Sequence, residues 1–124
     1  MVGELNHIEL YVSDLKRSIE FWQWLLENFG YKKYQEWPKG KSYKLKNTYI
    51  VFVQTEEKYL KPKYHRKRIG LNHIAFSVDK KLMVKIKKDL KEKEIGLLYK
   101  DKEISSKIIY FEDPDRIKVE LVLK

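Results

Sequence analysis

Apolar and polar positions alternate over Leu5 to Val12, LNHIELYV. Ile8, Leu10 and Val12 fall on one face, and His7, Glu9 and Tyr11 on the other. This is the pattern of a half-buried strand. Ser13 and Asp14 follow as a helix start, with Asp14 in the N-cap position. Leu15, Ile19, Trp22, Leu26 and Phe29 then recur at spacings of four and three, an apolar stripe along one helix, and Gly30 closes it. Three short strands are predicted next: Tyr31 to Trp37, Ser42 to Lys46 and Thr48 to Gln54. Pro38, Gly40 and Asn47 mark the turns.

The same order then returns. Leu-Asn-His-Ile at 5–8 reappears at 71–74. Ile74, Phe76 and Val78 alternate with His73, Ala75 and Ser77, Asp79 caps a helix, Leu82, Ile86 and Leu90 form its stripe, and Gly96 closes it. Strands are predicted at Leu97 to Lys100, Lys107 to Phe111 and Ile117 to Leu123, with a turn at Asp113-Pro114-Asp115. Each half reads as β-α-β-β-β, an internal repeat agreeing at strand, cap, stripe and stop. The modules span about 4–56 and 70–124, with a linker over about 57–69.

Composition narrows the chemistry. The chain has 124 residues and no cysteine, which excludes disulfides, zinc-thiolate sites and cysteine nucleophiles. Its net charge of +9 is spread along the chain among 18 acids, the pattern of a solvated surface. The densest basic stretch, KYLKPKYHRKR from Lys58 to Arg68, has no helical or strand period and reads as the linker. His65 lies within it as a loop histidine. No nucleic-acid reading element accompanies that charge. No apolar run approaches the ~20 residues of a membrane span, and Glu4, Asn6, His7 and Glu9 interrupt any signal-like stretch. A soluble cytoplasmic protein is expected, without membrane or nucleic-acid partners.

Each helix must cover the apolar face of its own sheet. The opposite face then carries His7 in one half and His73 in the other. In the last strand, Ile117, Val119, Leu121 and Leu123 take the helix side, so Lys118, Glu120 and Val122 face the other way. Two imidazoles and a carboxylate are a usual set for a divalent ion with open positions. If the halves pair by pseudo-symmetry, His7, His73 and Glu120 meet in one concavity. Glu9 shares the face of His7 as a second acid.

These segments, LNHIELYVSDLKRSIEFW, LNHIAFSVD and IIYFEDPDRIKVELV, resemble the vicinal oxygen chelate superfamily of glyoxalase I, fosfomycin and bleomycin resistance proteins and extradiol dioxygenases. The resemblance spans nearly the whole chain. It implies one α+β glyoxalase-like domain over 1–124, in which two βαβββ modules form a cup-shaped mixed sheet with helices on the outer face. It implies one divalent metal per site (nickel, zinc, manganese, cobalt or iron), held by His7, His73 and Glu120, and a homodimer acting on a small molecule. Glyoxalase I carries a further acid in the last strand of its first module. The offset joining His7 to His73 takes Glu120 back to Gln54, and a shift of two would choose Phe52. Neither is an acid. Gln54 is thus a weak fourth ligand or a structural amide, and Glu9 a neighbouring acid that orients ligand or substrate. Glu120 or Glu9 would shuttle a proton. Trp37, Tyr43 and Phe52 are candidates for the substrate pocket. In ISSKIIYFEDPD, similar to the fosfomycin enzymes, Lys107 and Tyr110 are candidate anion contacts. The implied function is a metal-dependent, lyase- or isomerase-like enzyme on a small oxygen-rich or anionic metabolite. The alternatives are a metal-free ligand-sequestering protein and a fosfomycin-type thiol transferase.

Overall fold

The computed structural model describes residues 1–100 and 107–124, and these divide into two compact units, Met1–Lys63 and Tyr64–Lys124. Ile104, Ser105 and Ser106 of the ISSKIIYFEDPD segment lie outside the described residues.

Unit 1 runs β1 (His7–Val12), α1 (Leu15–Asn28), β2 (Lys32–Trp37), β3 (Gly40–Leu45) and β4 (Thr48–Gln54). The sheet order is β1-β4-β3-β2, with β1 parallel to β4 and the other pairs antiparallel. Asp14 caps α1 by accepting from the Arg17 N–H, and Gly30, at φ 94, takes the left-handed position past the helix end. Phe21, Trp22, Leu25 and Leu26 of α1 are buried with Val12, Tyr43, Ile50 and Phe52 of the sheet. The indole of Trp22 stacks on Phe52 at 5.1 Å. The buried stripe is therefore rotated from the expected one, and Ile19 and Phe29 lie at its half-exposed margins.

Unit 2 contains β5 (His73–Val78), α2 (Lys80–Glu92), β6 (Ile108–Glu112) and β7 (Lys118–Leu123), with sheet order β5-β7-β6. Here too the first strand is parallel to the last. Asp79 caps α2 by accepting from the Leu82 N–H. Met83, Ile86 and Leu90 are buried with Ile74, Val78, Ile109, Phe111, Val119 and Leu121.

Two expectations for unit 2 are corrected. Leu97–Lys100 forms no strand. Tyr99 sits at φ 60, outside the extended region, and the Leu98 N–H makes one backbone bond to the Tyr110 carbonyl. Nor does Gly96 end the helix: α2 stops at Glu92, and the left-handed residue is Glu94 at φ 58. Asp113 is buried and its Oδ1 accepts from the N–H groups of Asp115 and Ile117, both at 2.8 Å. That closes the turn into β7 with Arg116 at φ 69.

Candidate functional site

In unit 2 the ladder aligns two rows on the face opposite α2. Glu112, Lys118 and His73 form one row, and Tyr110, Glu120 and Ala75 the next. His73 and Glu120 are diagonal neighbours across β5 and β7, and the His73 Nε2 lies 3.1 Å from Glu120 Oε1. The other ring nitrogen, Nδ1, lies 2.8 Å from Asn72 Oδ1. The Asn72 amide is oriented in turn, since its Nδ2 donates to the Arg66 carbonyl at 3.0 Å. Both nitrogens of His73 therefore face acceptor oxygens. A neutral imidazole has a single N–H, so one of the two contacts needs either a second ring proton or a cation between Nε2 and the carboxylate. Two ligand atoms each about 2.1 Å from a metal and at right angles would lie about 3 Å apart, so the pair fits a divalent ion.

Around this pair the face is polar and cationic. The Tyr110 hydroxyl donates to Glu120, and burial followed by that carboxylate raises its pKa. Lys118 Nζ lies over the rings of Tyr99 and Tyr110, at 5.4 and 5.3 Å, and 3.3 Å from the Tyr99 hydroxyl. Lys118 first, and then Arg66, hold the Tyr99 pKa below its ordinary value. Arg66 also pairs with Glu112 at 2.7 Å. Lys107 is exposed in the turn before β6.

Unit 1 presents His7 in the matching place on β1. Its Nδ1 lies 2.6 Å from Asn6 Oδ1, and its ring stacks on Tyr49 at 4.5 Å and 8°. Glu9 is exposed two residues on, on the same face. Tyr34 packs against Tyr49 and receives Lys44 Nζ over its ring at 4.3 Å. Trp37 is half-exposed and lies over Gly40, where any Cβ would run into the indole. Within neither unit, among the described residues, do three metal-capable side chains form a group by themselves.

Three sequence-derived assignments fall away here. Gln54 pairs with Val12 in the ladder and so faces α1. Its Oε1 accepts from the Leu15 N–H at 2.8 Å, and its Nε2 donates to the Ser13 and Thr55 carbonyls. It is a structural amide at the start of the helix, and as a fourth ligand it is on the wrong face. Phe52 pairs with Leu10 and is fully buried against Trp22. Tyr43 is 1% exposed, and its hydroxyl donates to Gln23 of α1 at 2.8 Å. Both belong to the core of unit 1, away from any pocket on the His7 face. Sequence reasoning also passed over Asn6, Asn72, Tyr99 and Arg66. The asparagines were visible as part of the repeated Leu-Asn-His-Ile, whereas Arg66 comes from the linker, where no period marks it.

A family model described as Glyoxalase/Bleomycin resistance protein/Dioxygenase superfamily matches residues 4–121. The chain belongs to this superfamily. It is similar to the uncharacterized protein YqjT of Bacillus subtilis (strain 168), 48% identical over 124 residues, covering 95% of this chain and 97% of that one. It is also similar to the glutathione transferase FosA of Serratia marcescens, 27% identical over 121 residues, covering 98% and 81%. Among solved structures, a glyoxalase-type protein of Bacillus halodurans superposes with a TM-score of 0.93 at 44% identity, covering 98% of this chain and 96% of that one. The fosfomycin resistance protein FosX of Listeria monocytogenes, solved with Mn(II) and 1S,2S-dihydroxypropylphosphonic acid, shares the fold at a TM-score of 0.70 and 20% identity, covering 99% and 93%. The two-module α+β reading agrees with these superpositions. No helix among the described residues is long and apolar enough to cross a membrane.

Proposed function

We propose that this superfamily member is a divalent-metal-dependent enzyme of the lyase or isomerase type, acting on a small oxygen-rich or anionic metabolite. The observation that carries the reading is the His73–Glu120 pair, with Nε2 and Oε1 at 3.1 Å and the opposite ring nitrogen already bound to Asn72. The repeated Leu-Asn-His-Ile supports His7, at the matching position of β1, as a third ligand. A bound divalent ion would supply Lewis acidity toward a substrate oxygen. The protein's own groups then do the rest. Glu9, exposed beside His7, takes and returns a substrate proton. Tyr110 holds Glu120 by its hydroxyl, and Lys118 and Lys107 favour an anionic substrate. Trp37 forms an apolar wall on the His7 face.

A second reading, fosfomycin-type thiol transfer, draws on the 27% identity to FosA and on Lys118 poised one ladder step from Glu120. The testing experiment is elemental mass spectrometry of tag-free protein, reconstituted in turn with nickel, zinc, manganese, cobalt and ferrous iron. Stoichiometric metal that is lost in both His7→Ala and Glu120→Ala is the expected result. Active samples would then be screened against α-ketoaldehyde adducts and against fosfomycin with thiols. No tight metal in any reconstitution overturns the reading and leaves a ligand-sequestering protein.

A further inference from the structure

We infer that Asn6 and Asn72 are positioning residues that fix the tautomer of the two histidines, so that each presents the electron pair of Nε2 to the site. The inference deepens the proposed metal site and rests on it for its purpose, though not for its test. Asparagine immediately precedes histidine in both modules, and in both its carboxamide oxygen meets Nδ1, at 2.6 Å for His7 and 2.8 Å for His73. In unit 2 the direction of the bond is determined. Asn72 Nδ2 is already donating to the Arg66 carbonyl, so the group facing Nδ1 is the oxygen. An amide oxygen accepts only, so Nδ1 carries the proton once Nε2 is relieved of its own acceptor, the Glu120 carboxylate at 3.1 Å. Nε2 is left with its lone pair, the form a metal requires.

The third histidine gives the opposite case within the same chain. His65 Nδ1 accepts from the Lys67 backbone N–H at 3.0 Å, so its proton sits on Nε2. The two tautomers follow the local donor or acceptor that each ring is given. Ring planes are held as well: His7 lies flat against Tyr49, 8° from parallel, and the Asn6 contact fixes rotation within that plane.

Long-range 1H–15N correlation of the imidazoles reads the tautomer of metal-free protein directly, at a pH where the nitrogen shifts show neutral rings. The expected result is Nδ1–H for His7, Nε2–H for His65 and, in Glu120→Ala, where no carboxylate competes for the proton, Nδ1–H for His73. Added to Glu120→Ala, Asn72→Ala should move His73 alone toward Nε2–H, and in the native background Asn6→Ala should move His7 alone. Asn72→Asp and Asn6→Asp should restore the native form, because a carboxylate also accepts from Nδ1. In zinc titrations the alanine variants should bind about 10- to 100-fold more weakly, with the aspartates recovering most of the loss. Nε2–H at His7 in the native protein, or at His73 in Glu120→Ala, overturns the inference, as does an asparagine-to-alanine variant that keeps its fold by circular dichroism and its tautomer. These tautomers in a protein whose native form binds no metal would sink the proposed enzyme and leave the positioning role standing.

Discussion

Val51 occupies in β4 the ladder position that Glu120 occupies in β7. Val51 pairs with Glu9 and Glu120 with Ala75, two residues past the histidine of each module. The modules thus each place one acid on this pair of positions, but on opposite strands. In unit 2 the acid sits on the last strand beside alanine, and in unit 1 on the first strand beside valine. Unit 1 therefore has a buried apolar side chain where unit 2 has its acid.

Glu9 and Glu120 should consequently separate in function. Glu120→Gln is expected to lose metal, since it weakens a proposed ligand. Glu9→Gln should keep stoichiometric metal and native stability while turnover falls by about 100- to 10,000-fold, the usual range for a lost general base. Metal analysis alongside steady-state kinetics on the substrate found by screening checks both.

Gln54→Ala should destabilise the fold and leave the site intact. It strands the Leu15 N–H and the Ser13 carbonyl at the start of α1, a cost of about 1–3 kcal/mol. Urea denaturation measures that cost. Metal stoichiometry equal to wild type in the same sample confirms the structural role, and a loss of metal would contradict it.

Tyr43 predicts an alkaline weakness. Burial first, and then Glu27 and Glu36, push its pKa from 10.0 up to about 12. Between those values the unfolded chain has released a proton that the folded chain still holds, so stability falls as pH rises from 10 to 12. Below pH 10 this group contributes no slope. Thermal midpoints of the native protein should decline across that window. Tyr43→Phe should start lower by about 1 kcal/mol, from loss of the bond to Gln23, and decline less.

Arg116→Gly should stabilise unit 2. Arg116 stands at φ 69, where a Cβ is strained, and its ion pair with Glu112 is 3.5 Å long with the arginine side chain 78% exposed. Relief of the strain, offset by glycine's greater chain entropy, should leave a gain of about 0.5–1 kcal/mol in urea denaturation.

Much of this arrangement was legible from the letters. Alternation in β1, β5 and β7 set their faces, and Asp14 and Asp79 announced both helices. The failures have physical causes. β4 is apolar on both faces, buried at Ile50, Val51 and Phe52 alike, so alternation assigned none of them, and Phe52 went to the wrong side. The spacing from Val51 to Glu120 is longer than that from His7 to His73, because the modules differ in their connections. A constant offset therefore chose Gln54. Tyr43 was assigned to the substrate pocket because its partner, Gln23, is contributed by the helix and leaves no trace in the strand pattern. Glu94 adopts a left-handed conformation that composition assigns to glycine.

The parallel pairing of the first and last strands has a consequence for biosynthesis. His73 opens unit 2 and Glu120 nearly completes it, and they become neighbours when β7 docks beside β5. During vectorial synthesis the nascent module would carry its histidine exposed, with the carboxylate partner still untranslated. The pair exists only in a finished module, so an ion held by both residues would report that the module has closed.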